Sequence, residues 1–190
     1  MYIFHNTSLK SIKSILKDGY IKSYSLLKKE GINKIEGEGS GIYNENHFIY
    51  FSCIDKIFSR EIYGSVTLYF NSKLLYNKTF YVSTCHSASP ESLAEWTTKT
   101  DDNKKRKEYK RKYDKNYKNY NNVLKKLYKH SISLLENGKA FQVFQQIAIR
   151  NKINLDELVA IEFREEPSKT ILNYINKYLP DVIIKKNIRY

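Results

Sequence analysis

The chain has 190 residues, which suits one domain with a buried core, and its two cysteines are too few for a disulfide-stapled secreted fold. The N-terminus lacks the apolar run of a signal peptide, and no stretch is long enough to cross a membrane. These features predict a soluble, intracellular protein, most simply cytoplasmic, with reduced thiols. The formal net charge of +13 favours an anionic partner such as nucleic acid.

The first 30 residues predict a strand followed by a short amphipathic helix. Residues 2–5 suit a strand, and Thr7 or Ser8 can cap the helix by offering a side-chain oxygen to its free amides. Gly19 stands where a left-handed residue ends a helix. Four apolar residues share one helical face: Leu9, Ile12, Ile15 and Leu16. A second short helix is expected over 20–29.

Strand signals dominate the next part of the chain. A glycine-rich loop is expected over 31–47, followed by a strand over 48–52 and a helix over 54–63. Two further strands are expected over 66–70 and 79–84, joined through Asn-containing turns.

The centre of the chain predicts a basic helical insertion over 98–138. It follows a short helix that starts at Ser89, and it consists mainly of a long helix over 102–137 that Gly138 ends. Twelve Lys or Arg residues lie between Lys104 and His130, against only two acidic residues. The heavy use of Ile, Lys, Asn and Tyr fits an AT-rich coding sequence, which would explain a high lysine content but not this clustering.

The C-terminal part alternates strands with one helix. Strands are expected over 142–150, 159–163 and 182–185, and a helix begins at Pro167 and stops before Pro180. Glu162 lies in the second of these strands and is expected to face solvent. The mixed order of helices and strands predicts the α+β class.

His5 lies at a strand end, just before the start of a helix. The free amides of a helix N-terminus suit the oxygens of a ligand, and an imidazole can hydrogen-bond a sugar hydroxyl or move a proton. A histidine that only satisfies the strand end would explain the same residue. No metal site is expected, because Cys85 and His86 are adjacent but no further ligand lies at a zinc spacing.

Several segments taken together resemble the ADP-ribosyltransferase superfamily, nearest to small DarT-like members that modify nucleic acids. They are Phe-His-Asn-Thr-Ser at 4–8, the glycine-rich loop, Ile-Tyr-Phe-Ser at 49–52, and Gln-Gln-Ile-Ala-Ile-Arg ahead of Val-Ala-Ile-Glu-Phe. The resemblance covers roughly residues 2–52 and 142–163. It implies one ADP-ribosyltransferase-like domain over 1–190, with a split mixed sheet and the basic helical insertion within it.

The resemblance also implies a site for NAD as substrate. His5 would hold the hydroxyls of the nicotinamide ribose, Asn6, Thr7 and Ser8 would help to fix the ligand, and Tyr50 would stack on the nicotinamide with Ser52 beside it.

Gln146 occupies the position where many of these enzymes have a catalytic Glu. An amide can hydrogen-bond, but it cannot act as a base or supply negative charge. Three outcomes follow: a transferase that needs no such base, a Glu recruited from elsewhere, or a binder without catalysis. Glu95 and Glu157 are the candidates for recruitment.

The basic helix has three possible interpretations. Its tyrosines can form a semi-polar packing stripe, with the lysines as a solvated face. Alternatively, its cations neutralise phosphates while tyrosines stack on exposed bases. A membrane-surface helix fits poorly, because Tyr and Asn replace the large apolar residues that such helices bury. In the functional reading the nucleic-acid contacts are Lys104, Lys105, Arg106, Lys110, Arg111, Lys112, Tyr113 and Lys118.

The leading hypothesis is therefore an NAD-binding ADP-ribosyltransferase-like protein that modifies DNA or RNA. The alternative is a catalytically inactive module on the same fold, which sequesters nucleotides or binds nucleic acid through its basic helix.

Overall fold

The computed structural model describes residues 2–32, 47–54, 56–58, 64–83, 129 and 146–188. The expected helices near 89 and over 102–137, the glycine-rich loop over 33–46, and the insertion over 98–138 apart from Lys129 lie outside these residues.

The elements of the N-terminal part follow the sequence prediction closely. Strand β1 (Tyr2–Thr7) leads into helix α1 (Leu9–Asp18), then β2 (Tyr20–Lys22) and helix α2 (Tyr24–Lys29). Ser8 caps α1 by accepting a hydrogen bond from the Ser11 amide, and Gly19 ends it in the left-handed conformation with φ 72°. The expected single helix over 20–29 is wrong in its first third, because Tyr20–Lys22 pairs with a distant strand and buries Ile21.

The rest of the described chain forms seven strands; six of them overlap strands expected from the sequence, whereas the strand over 152–154 was not expected. They are β3 (Phe48–Ile54), β4 (Val66–Asn71), β5 (Phe80–Ser83), β6 (Gln146–Arg150), β7 (Lys152–Asn154), β8 (Leu158–Phe163) and β9 (Ile183–Lys186). A 3-10 helix (Ser72–Asn77) joins β4 to β5, and helix α3 (Lys169–Tyr178) precedes β9. The expected helix over 54–63 is wrong at its start, since β3 continues through Ile54 and residues 56–58 form a turn.

Within the described residues, seven strands form one sheet in the order β5-β6-β3-β1-β4-β8-β9. Its neighbours are antiparallel except for β8 and β9, which are parallel. Strands β2 and β7 form a separate antiparallel pair. The mixed sheet with its helices confirms the α+β class.

The larger core lies on one face of the sheet. Helix α1 contributes Ile12 and Leu16, and α3 contributes Ile171 and Ile175, all buried against apolar strand residues. Burying each such side chain favours folding by roughly 1.5–3 kcal/mol. The opposite face carries a smaller cluster of four buried residues, Phe4, Ile54, Tyr69 and Ala160. None of the helices in the described part of the chain is both long and apolar enough to cross a membrane.

Candidate active site

The sheet splits where β3 changes its partner. Toward its C-terminal end β3 pairs with β1, and the last pair at the split is Phe4 with Ser52. Toward its N-terminal end β3 pairs with β6 instead, starting with Phe51 and Ile147. Beyond Phe4, β1 therefore separates from β3 while remaining paired with β4.

His5 bridges the split with its side chain. Its Nδ1 lies 2.9 Å from the backbone carbonyl oxygen of Tyr50. A carbonyl can only accept a hydrogen bond, so Nδ1 carries the proton and the neutral ring keeps a lone pair on Nε2. The Phe51 ring, with its centroid 5.6 Å from that of His5, packs beside the imidazole. The His5 imidazole is thus fixed in the tautomer whose Nε2 accepts a hydrogen bond.

The surroundings keep this imidazole neutral. Burial lowers the pKa of His5 below its ordinary value of 6.5, and the hydrogen bond to the Tyr50 carbonyl opposes this effect only in part. At neutral pH the ring is therefore uncharged. A neutral imidazole with a bare Nε2 suits a ligand hydroxyl, which can donate its proton to that nitrogen.

A cleft of about 240 Å³ lies at the split, just below the usual size of a whole ligand pocket. Its lining is Phe4, His5, Asn6, Tyr50, Phe51 and Ser52. Tyr50 and Phe51 are successive residues of β3, so their side chains point to opposite faces of the strand, and that of Phe51 is buried in the larger core. The cleft thus brings together four of the residues expected from the sequence: His5, Asn6, Tyr50 and Ser52.

Thr7 and Ser8 do not line this cleft. Thr7 ends β1 and pairs with Val66, while the Ser8 hydroxyl oxygen accepts the Ser11 amide at 3.2 Å. Thr-Ser is typical of a helix start, and capping of α1 accounts for the presence of Ser8. The local signal could not separate a capping oxygen from a ligand-binding one.

The backbone of Gln146 lies next to the split of the sheet. It is the first residue of β6, directly before Ile147, and it pairs with Ser83 on the outer side. Its role in place of the usual Glu stays a prediction. Of the two carboxylates considered for recruitment, Glu95 lies outside the described residues. Glu157 lies elsewhere, since its carbonyl binds the amide of Asn71, which pairs with Tyr2 at the far end of β1.

Glu162 does not face solvent, and that expectation is wrong. The side chain is buried, 2% exposed, and its Oε2 lies 3.1 Å from Nη2 of Arg164 and 2.8 Å from the hydroxyl of Tyr69. Arg164 follows the end of β8 directly, and residues two apart in an extended chain share a face, so the Glu-x-Arg spacing was a signal for this pair. The partner Tyr69 comes from β4, which a single strand pattern does not reveal.

Tyr69 is fixed as a hydrogen-bond donor in this cluster. Burial raises the pKa of its hydroxyl well above the ordinary value, and the hydrogen bond to the Glu162 carboxylate adds to the effect. The phenol therefore stays protonated, which satisfies one oxygen of the buried carboxylate.

The remaining predicted contacts cannot be placed. Lys104, Lys105, Arg106, Lys110, Arg111, Lys112, Tyr113 and Lys118 lie outside the described residues. Among the residues that the structure does describe, no group of three or more His, Cys, Asp or Glu side chains could hold a metal ion.

Comparison with known proteins defines the class of fold. No family model matches the chain, and no curated protein matches it significantly. A solved structure of Thermosipho africanus DarTG, with a TM-score of 0.50, matches 98% of this chain, so the chain has the ADP-ribosyltransferase-like fold of that DarT protein. The split mixed sheet inferred from the sequence resemblance is therefore confirmed.

The individual structures share little sequence with this chain. Thermosipho africanus DarTG in complex with ADP-ribose has a TM-score of 0.50 at 10% identity, covering 98% of this chain and 50% of that chain. This chain thus corresponds to half the length of that protein. Thermus sp. 2.9 DarT in complex with carba-NAD+ has a TM-score of 0.46 at 12% identity, covering 99% and 95% of the two chains. The same protein with ADP-ribosylated ssDNA has a TM-score of 0.47 at 9% identity, covering 99% and 93%.

Proposed function

We propose that the chain binds NAD as a substrate, with the nicotinamide ribose in the cleft at the split of the sheet. The observation that carries the proposal is the hydrogen bond from His5 Nδ1 to the Tyr50 carbonyl. It leaves Nε2 as an acceptor for a ribose hydroxyl. The DarTG structure of similar fold, which is in complex with ADP-ribose, supports the choice of ligand.

The other cleft residues have roles that suit their chemistry. Tyr50 would stack on the nicotinamide ring, and Ser52 would hydrogen-bond near it. Asn6 is exposed beside His5 and offers a further polar group. Since Ser8 is engaged in capping α1, the proposed site consists mainly of His5, Asn6, Tyr50 and Ser52.

The reaction is the transfer of ADP-ribose to a nucleic acid. The bond between C1′ of the nicotinamide ribose and the nicotinamide nitrogen breaks, and nicotinamide leaves with that electron pair. C1′ then bonds to a nucleophilic nitrogen or oxygen of the acceptor, whose proton passes to solvent. Gln146 would hydrogen-bond the ribose where other enzymes use a carboxylate, so we expect slow turnover.

Incubation with NAD labelled in the ADP-ribose part, together with single-stranded DNA or RNA, tests the enzyme directly. We expect label on the nucleic acid, its loss in His5→Ala, and its retention in the matched His47→Ala variant. A Gln146→Glu variant should transfer faster. If wild-type protein neither transfers label nor cleaves NAD, the enzymatic proposal is wrong.

Gln146 also favours a second function, namely nucleotide binding without transfer. In this case the protein would sequester NAD or a related nucleotide. Binding that depends on His5 but produces no nicotinamide, even over long incubation, would support this function over catalysis.

The nucleic acid would be held by the basic segment. The proposed phosphate and base contacts are Lys104, Lys105, Arg106, Lys110, Arg111, Lys112, Tyr113 and Lys118. A protein that binds nucleic acid without NAD, and equally well in His5→Ala, would act through this segment alone.

A further inference from the structure

A buried polar chain connects the interior of the protein to the cleft. It starts at the ion pair between Glu162 and Arg164, which are 2% and 9% exposed. The Glu162 carboxylate is held on its other oxygen by Nδ2 of Asn187 at 3.2 Å. Because its partners hold both oxygens, this carboxylate is a rigid anchor for the guanidinium.

Arg164, held by Glu162, in turn binds residues of and next to β4, the neighbour of β1. Its Nη1 donates to the Gly64 carbonyl at 2.8 Å and to the hydroxyl oxygen of Thr67 at 3.2 Å. A guanidinium only donates hydrogen bonds, so Thr67 accepts from Arg164. The single proton of the Thr67 hydroxyl is then directed to the next acceptor, Oδ1 of Asn6, at 3.0 Å.

Asn6 is the last residue of this series of hydrogen bonds, and its amide has an oxygen acceptor and a nitrogen donor. Asn6 pairs directly with Thr67 across β1 and β4, so the two side chains share a face. The Asn6 oxygen is engaged by Thr67, which leaves the two N–H donors of Nδ2. Asn6 is exposed and lines the cleft, so these donors are available to a ligand.

We infer that the relay from Arg164 through Thr67 fixes Asn6 as a hydrogen-bond donor to an oxygen atom of the bound ligand. Thr67 and Arg164 are positioning residues, and Asn6 contacts the ligand. The identity of that ligand as NAD rests on the proposed function, whereas the orientation of the amide does not. Adjacent positions of a strand face opposite sides of the sheet, so His5 provides an acceptor on one side of the split and Asn6 a donor on the other.

Isosteric variants separate the donor role from packing. Asn6→Asp keeps the shape of the side chain but replaces its N–H donors with a second acceptor. We expect NAD affinity to fall at least about ten-fold, as for a lost hydrogen bond to an oxygen that now meets a carboxylate. Since Asn6 is exposed, this variant should fold normally. Wild-type affinity in Asn6→Asp would overturn the inference.

Variants at Thr67 test the relay itself. Thr67→Val removes the hydroxyl at constant shape, while Thr67→Ser retains it. In the protein without ligand, the ¹⁵N side-chain amide of Asn6 should be rigid in the wild type and in Thr67→Ser, and mobile in Thr67→Val. NAD affinity should fall in Thr67→Val and be restored in Thr67→Ser.

The two readouts distinguish failure of this inference from failure of the proposed function. If the wild type does not bind NAD while its Asn6 amide is rigid and depends on Thr67, the proposed ligand is wrong and the relay stands. If NAD binds but the amide is mobile in the wild type, or unaffected by Thr67→Val, the relay is wrong and the proposed function stands.

Discussion

The protonation of His5 is the residue-scale feature on which the site depends. Its Nδ1–H is committed to the Tyr50 carbonyl, and burial disfavours a second proton on Nε2. A protonated ring would lose the lone pair that we assign to the ribose hydroxyl. Binding and the charge of His5 are therefore linked.

We expect the affinity for NAD to be constant above about pH 6.5 and to fall when the solution is acidified through the lowered pKa of His5. The free energy of unfolding also falls when the solution is acidified. Between the folded pKa and 6.5 the unfolded chain binds more protons at this residue, so the free energy of unfolding decreases as the pH falls. A pH titration of the imidazole by NMR, with calorimetry at each pH, checks both. A pKa of 6.5 or higher for His5 would contradict the assignment.

Glu162 provides a second prediction at the residue scale, because its charge is paired in the interior. Glu162→Gln leaves the buried Arg164 without its counter-charge and should lower the free energy of unfolding by roughly 3–5 kcal/mol. Glu166→Gln is the matched control, since Glu166 pairs with Lys186 at the surface and should cost less than about 1 kcal/mol. Urea denaturation at neutral pH measures both. Equal, small losses would show that the Glu162 pair is not buried in solution.

At the scale of elements, the caps of the helices explain why the chain turns where it does. Ser8 and Ser23 both precede helices, but only the Ser8 side chain accepts a bond from its helix. Among the residues that the structure describes, the buried Ser23 hydroxyl has no hydrogen-bond partner. The two serines therefore contribute differently to stability although they have the same place in the sequence pattern.

Ser8→Ala should lower the free energy of unfolding by about 1 kcal/mol, the usual value of a side-chain cap. Ser23→Ala removes an unsatisfied buried hydroxyl and should leave stability unchanged or raise it. Thermal or urea unfolding of the two variants side by side gives the comparison. A larger loss in Ser23→Ala than in Ser8→Ala would contradict the cap assignments.

Local signals explain which elements could be predicted from the sequence. Helix α1 has a cap, an apolar face and a terminal glycine within twelve residues, and β3, β4 and β8 have compact apolar runs. The short strand β2 has no such signal, because it forms only through pairing with β7, more than 100 residues away. The burial of Glu162 likewise depends on Tyr69 from β4 and Asn187 near the C-terminus.

At the scale of the whole molecule, the cleft exists because one strand serves two partners. His5 and Tyr50 could be singled out from the family resemblance, but their contact through a backbone carbonyl follows only from the point at which β3 leaves β1 for β6. The relay from Arg164 to Asn6 similarly needs the register of β1, β4 and β8. Side-chain types in the sequence do not specify these registers.

The charge of the whole chain gives a prediction about its proposed nucleic-acid partner. With a net charge of +13 concentrated in the basic segment, affinity for single-stranded DNA should fall steeply with salt. The slope of log K against log salt should be about −0.7 for each phosphate neutralised. Charge reversal at Lys110 and Arg111 should reduce that slope, whereas His5→Ala should not. Binding that is insensitive to salt would exclude the basic segment as the contact.

The most direct measurement is calorimetric titration of NAD into the wild-type protein, His5→Ala and His47→Ala at neutral pH. If the cleft at the split of the sheet is the NAD site, the wild type and His47→Ala bind equally. His5→Ala then binds at least about ten-fold more weakly, as expected for a lost hydrogen bond. No binding by the wild type, or equal affinity in all three proteins, would contradict the assignment of this cleft.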